Sequence, residues 1–150
     1  MMKRILVATD GSEKASSVVA CGAELAAKNG ATVYLVHAVN GSKVLKEVKE
    51  FIESEHLEEE PKRVYMDQTA GRILNDARHD AWKYGVKSTK SAVLLGDPAK
   101  EIIRFARDND IDMIVIGQNG VRNAKKLYSR KVTDKIARTS DCACITVNCQ

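Results

Sequence analysis

Three segments of this chain carry residue types suited to holding a charged small molecule. The first is Gly117-Gln118-Asn119-Gly120. Glycine tolerates positive φ and lets the backbone approach a ligand closely. Successive N–H groups in such a turn form a cradle for an anion, although the same Gly-x-x-Gly spacing also suits an ordinary turn. The second segment holds Arg122, Lys125, Lys126, Arg130 and Lys131, with no acid among them. Arg130 and Lys131 stand where the last helix should start. A cation there opposes the helix dipole at about 0.3–1 kcal/mol each. A bound anion reverses that penalty, because a helix start presents free N–H groups. Ser129 suits the N-cap or a donor to phosphate. The competing reading is a solvated basic loop offset by Asp134. The third segment is Thr9-Asp10-Gly11-Ser12. A carboxylate there can accept hydrogen bonds from a ribose or base, or help hold a divalent cation such as Mg. It can equally cap the first helix.

These segments need a scaffold that brings them together. Residues 5–8 form a short apolar run that reads as a buried first strand. Ala15, Val18, Val19, Gly22 and Ala26 follow at helical spacing, with Ser12 placed to cap the helix and Gly30 to end it. Residues 31–39 read as a second strand, completing a βαβ unit with a right-handed crossover. Residues 40–68 are the least regular stretch and read as a surface excursion. A short amphipathic helix through Val44, Leu45, Val48, Phe51 and Ile52 is ended there by an acidic run and Pro61. Helical spacing resumes over 69–84. Residues 91–95 form a third strand, 99–109 a helix, 112–117 a fourth strand, and 143–147 a fifth after a helix through Val132 and Ile136. Strands alternating with helices predict one doubly wound α/β domain over 1–150, a five-stranded parallel sheet with helices on both faces. Ligands in such sheets bind outside the carboxyl ends of the strands, where the order reverses.

Composition narrows the class. Hydrophobic residues make up 44% and charged residues 29%, which suits a folded globular chain. Aromatics are only 5%, so the core must be Val, Ile, Leu and Ala, as a buried parallel sheet requires. A net charge of +4, with no nucleic-acid motif or base-stacking aromatic cluster, gives no ground for expecting nucleic-acid binding. No stretch approaches the roughly 20 apolar residues of a membrane span, and the first residues lack a signal-peptide core. The expected location is the cytoplasm, with Cys21, Cys142, Cys144 and Cys149 reduced. Cys142 and Cys144, two apart in a strand, share a face and read as buried apolar thiols rather than zinc ligands. His37 reads as a packed residue, and His56 and His79 as exposed. No nucleophile elbow, P-loop or dinucleotide fingerprint is present.

Four motifs together resemble the universal stress protein family over nearly the whole chain. They are Val7-Ala8-Thr9-Asp10-Gly11-Ser12, Val36-His37-Ala38-Val39, Gly96-Asp97-Pro98-Ala99-Lys100-Glu101-Ile102 and Met113-Ile114-Val115-Ile116-Gly117. The resemblance implies a five-stranded parallel sheet in the order 3-2-1-4-5, paired into a homodimer through the last strand at Ala143, Ile145 and Val147. One branch of that family binds ATP through Gly, two residues, Gly, nine residues, then Gly-Ser or Gly-Thr. Gly117 and Gly120 match; Arg130 and Lys131 stand where Gly-Ser is expected; Val132 and Thr133 resume the pattern. By resemblance, Asp10 and Ala38 border the base, and Gly117 and Gly120 the phosphates. The nucleotide contacts so implied are Thr9, Asp10, Ala38, Ile116, Gly117, Gly120, Arg122, Arg130, Lys131, Val132 and Thr133. Arg130 brings a side chain where that branch has none, and either fills the triphosphate space or reaches it as a cation.

Two functions follow. One is a stress-response regulatory domain binding ATP or another adenine nucleotide, with Mg, and presenting a changed surface to a protein partner. The other is a dimeric scaffold closed to nucleotide by Arg130-Lys131. No general base with a positioned partner is legible, so turnover beyond slow ATP hydrolysis is not expected. A phosphoacceptor receiver domain shares the alternation, and Asp97 is placed suggestively for it. Thr9-Asp10-Gly11 supplies only one acid, however, and Asn148-Cys149 supplies no lysine.

Overall fold

The computed structural model describes residues 2–12, 14–119 and 128–149. Its strands are β1 (Arg4–Ala8), β2 (Thr32–Val39), β3 (Thr89–Leu95), β4 (Met113–Asn119) and β5 (Ala143–Cys149). They form one sheet in the order β3-β2-β1-β4-β5, and every pairing is parallel. The expected order and fold class hold. Because strand side chains alternate, the sheet feeds two cores. Ile5, Val7, Val33, Leu35 and Val115 pack against α1 (Ala15–Asn29) and α4 (Gly71–Lys83). Leu6, Ala8, Val36, Ile114 and Ile116 pack against α5 (Pro98–Asp108) and α6 (Arg130–Thr139). A chain poor in aromatics builds both cores from aliphatic branches and alanine. Close approach supplies the rest. A Cβ on Gly22 of α1 would lie 2.3 Å from a Val7 methyl of β1, so glycine sets that helix-to-sheet distance.

The 40–68 stretch is more regular than its sequence suggests. α2 runs over Gly41–Ser54, held by Asn40, whose side chain accepts from Lys43 N–H at 3.1 Å. The chain leaves it through His56 at φ 55°. Pro61 then opens a helix instead of closing one. It occupies the first helical position of α3 (Pro61–Val64), where its missing N–H costs nothing. The helix continues through a π-helical stretch, Tyr65–Ala70, straight into α4. The wider π turn, which often marks functional positions, lies where Tyr65 enters the interior at 5% exposure.

Two local expectations need correction. Ser12 does not cap α1 with its side chain. Its carbonyl accepts from Ala15 N–H at 3.0 Å, and Lys14 holds the cap position, its side chain not capping the helix. β4 does not turn at Gly117 but continues to Asn119, with Gly117 in register with Val147. Its φ is not positive, unlike that of Gly11, Gly30 and Gly85, and Gly120, the other glycine of the expected anion turn, lies outside the described residues. Asp97, the residue a receiver domain would phosphorylate, is the N-cap of α5, its carboxylate accepting from Lys100 N–H at 3.0 Å.

Candidate functional site

The strand order reverses at β1, which lies between β2 and β4. α1 leaves β1 toward one face of the sheet, and α6 follows β4 on the other. The departing chains open a crevice at the carboxyl ends, the place such sheets use for ligands. Thr9 and Asp10 follow β1 directly and Ala38 is one residue from the end of β2, while Ile116 lies level with Ala8 and Gly117 one residue beyond, inside β4.

On the β2 side the crevice is floored by an interior polar network. Thr9 is 3% exposed, and its N–H closes the β1–β2 ladder on Val36 C=O at 2.9 Å. Its own carbonyl lies 2.9 Å from His37 Nδ1. A carbonyl only accepts, so Nδ1 carries the proton. Neutral His37 then accepts at Nε2 from the Tyr65 hydroxyl, whose ring stacks near the imidazole. Burial pulls the His37 pKa down, against the opposing pull of the Thr9 carbonyl and the Asp10 carboxylate. Burial likewise pushes the Tyr65 phenol up. Sequence reasoning took His37 as packing, which it is, but missed that it is hydrogen-bonded at both ring nitrogens.

Asp10 is half-buried, at the turn leaving β1. One carboxylate oxygen accepts from Ser12 N–H at 3.0 Å, so the side chain caps a turn and not α1. The other oxygen, Oδ2, is buried with no hydrogen-bond partner among the described residues, and so is Ser12 Oγ. Buried polar atoms are nearly always paired, so this is a concentrated, unmet acceptor and donor at the strand-order reversal. Gly11 keeps the turn tight: at φ +79°, a Cβ there would lie 2.5 Å from Ile73. Beside it lies a hollow of about 300 Å³ bordered by Thr9, Ser12, Arg72, Ile73 and Asp76.

On the β4 side the start of α6 faces the same edge. Ser129 is the N-cap as expected, accepting from Val132 N–H at 3.3 Å. Arg130 and Lys131 occupy the first turn, exposed, and neither forms an ion pair among the described residues. Val132 is half-buried against the α5/α6 core. Thr133 is buried and spends its hydroxyl within its own helix, donating to Arg130 C=O at 3.1 Å. Gly120 and Arg122 lie outside the described residues.

Between the two sides sits Tyr128, which sequence reasoning did not select. It forms an isolated bridge with Gln118 and is 8% exposed. Its hydroxyl donates to Ala38 C=O at 2.9 Å and accepts from Ala38 N–H at 3.2 Å. Burial raises its pKa strongly. The only sequence signal was one aromatic residue within a basic stretch, 90 positions from its partner.

Elsewhere, Cys142 and Cys144 pack on the α5/α6 side, sharing a face as expected, and burial raises both thiols. Among the described residues, no group of three or more His, Cys, Asp or Glu gathers to hold a metal, and no helix is long and apolar enough to cross a membrane.

An all-parallel sheet with a polar crevice at its reversal point defines a Rossmann-like α/β domain with a strand-end site. The particular family follows from comparison. The universal stress protein family profile matches residues 1–148, and the chain belongs to that family. Universal stress protein YxiE of Bacillus subtilis is 26% identical over 149 residues, 98% of this chain and 99% of its own. Two solved structures share the fold. A universal stress protein in complex with cAMP superposes with TM-score 0.70 at 19% identity, covering 99% of this chain and 98% of that one. One from Archaeoglobus fulgidus in complex with dAMP gives TM-score 0.64 at 21% identity, covering 98% of each.

Proposed function

We propose that this chain is a regulatory domain that binds an adenine nucleotide, ATP- or AMP-like, at the carboxyl ends of β1, β2 and β4. The observation that carries the reading is the buried Oδ2 of Asp10, which has no hydrogen-bond partner among the described residues, at the end of β1, with the buried backbone of Ala38 at the end of the neighbouring β2. A ribose hydroxyl donates to the first. A base with a donor next to an acceptor matches the second. The N–H groups and side chains of Arg130 and Lys131 supply a phosphate end. The complexes of relatives with cAMP and dAMP support the choice of adenine. A Mg ion fits this site as a phosphate-borne ion with Asp10 as its one protein carboxylate, the usual mode for that metal.

The test is to denature freshly purified protein and identify released small molecules by mass spectrometry, then titrate apo protein with ATP, AMP and cAMP with and without Mg. Recovery of, or binding to, an adenine nucleotide is the expected result, lost on Asp10→Ala. An empty protein that binds none of them gives first place to the second reading, a scaffold. That reading is favoured by the complete pairing of Ala38 with Tyr128 and by Arg130-Lys131 in place of Gly-Ser. In both readings β5, paired to β4 on one side only among the described residues, offers its other edge to a second copy. Sedimentation should then give the mass of two chains; a 16.5 kDa species at all concentrations would refute the pairing. Ile145→Lys is expected to yield monomers. Because Ile145 leans on the α1/α4 core, that variant needs a melt alongside.

A further inference from the structure

β2 outruns β1. β1 ends at Ala8, opposite Val36, and the last bond between them joins Thr9 N–H to Val36 C=O. Residues two apart in an extended strand turn their N–H and C=O to the same side. Ala38 therefore aims both backbone groups at the side that β1 has left. Buried backbone groups demand partners. Tyr128 provides both from across the crevice: one oxygen donates to the Ala38 carbonyl and accepts from the Ala38 amide. Ala38 is 1% exposed, so solvent does not compete for these bonds. An adenine offers the same complement along one edge, an amino donor beside a ring-nitrogen acceptor.

We infer that the Tyr128 phenol is an intramolecular stand-in for the base, seated on the edge of Ala38 that an adenine must read, so that base binding requires its release. The inference rests on the adenine-nucleotide reading above and adds its regulation. Tyr128 lies one residue before the cap of α6 and two before Arg130. The group that must leave and the cations that meet the phosphates thus share one short stretch. A base alone faces a closed edge. A nucleotide that also engages Arg130 and Lys131 has the binding energy to displace the ring.

Calorimetric titration of wild type, Tyr128→Phe and Tyr128→Ala with AMP and with ribose 5-phosphate tests this, with urea unfolding to confirm each fold. A seat held closed all but about 1–10% of the time lowers apparent affinity by that fraction. AMP should therefore bind Tyr128→Ala about 10- to 100-fold more tightly than wild type. Tyr128→Phe keeps the ring and loses its bonds, so it should fall between, and it carries the test if the alanine variant unfolds. Ribose 5-phosphate, which has no base, should gain nothing. Equal AMP affinity in folded variants and wild type overturns the stand-in and leaves the nucleotide reading intact. An equal gain for ribose 5-phosphate also overturns it, since the ring would then be a general obstruction. AMP binding to none of the three at millimolar concentration overturns the nucleotide reading and the stand-in together.

Discussion

On the β2 side of the crevice, Thr9, His37, Tyr65, Ala38 and Tyr128 pair with one another in the interior. On the β4 side, Arg130 and Lys131 stand in solvent at the start of α6 without an ion pair among the described residues. The first half is neutral, dry and already hydrogen-bonded. The second is charged, wet and uncommitted. A ligand meets them with different currencies: on one side it must replace existing bonds one for one, on the other it adds attraction that nothing in the described chain supplies. Asp10 belongs to neither half. One of its oxygens is tied to the turn and the other is buried without a partner among the described residues. In the proposed nucleotide reading, discrimination among ligands resides in the β2 half, where an unmatched bond is costly, and net affinity in the β4 half, where a phosphate would relieve both side-chain charge and the opposing helix dipole.

The largest expected effect removes the charged half. Reversing both cations (Arg130→Glu with Lys131→Glu) should weaken ATP binding roughly 100-fold, two charge-assisted contacts at the low end of 1.5–3 kcal/mol each. Adenosine affinity should stay unchanged, and the urea midpoint should rise slightly, because acids in the first turn of α6 favour the helix dipole that the two cations oppose. The pair Arg130→Gly with Lys131→Ser separates clamp from obstruction. Weaker ATP binding means the cations clamp; tighter binding means they block, and the contrast between the two halves would then be wrong.

The same contrast explains what could be read before the structure was known. The strands, the helices between them and the start of α6 at Arg130 follow from apolar spacing and punctuation, because local rules govern them, whereas the strand order came with the family resemblance. The basic stretch was visible because charge is visible in any context. The β2 half was not, because it is made by residues that are far apart in sequence and unremarkable one by one. Tyr65 enters through a π turn that no periodicity announces, in a stretch that reads as irregular. Tyr128 meets Ala38 only because β4 runs two residues past Gly117 and bridges Gln118 to it. Gly117 was overread for a related reason. Glycine permits positive φ, but the ladder to β5 holds it extended. Permission is local, whereas the conformation adopted is decided by the neighbours.

The smaller effects test whether the β2 half is the rigid, paired half. Tyr65→Phe leaves His37 Nε2 buried without its donor, which should cost about 1–3 kcal/mol of unfolding free energy. A loss near zero would mean that water already serves that nitrogen. The pH dependence is gentler. His37 is held neutral, with a folded pKa below its unfolded value of about 6.5. Between those two values the unfolded chain binds a proton that the folded chain refuses. Stability from this residue is therefore complete above about pH 6.5 and is lost as pH falls to the folded value, below which it is flat, with a slope of at most about 1.4 kcal/mol per pH unit. Asp10 opposes the shift, so Asp10→Asn should lower the folded pKa further and widen the window. His37→Gln should flatten urea midpoints between pH 6.5 and the carboxylate range while leaving any phosphate binding by the α6 cations in place. If His37→Gln instead kept the wild-type slope, the proton would be taken elsewhere, and the neutral tautomer assigned from the Thr9 carbonyl would be wrong.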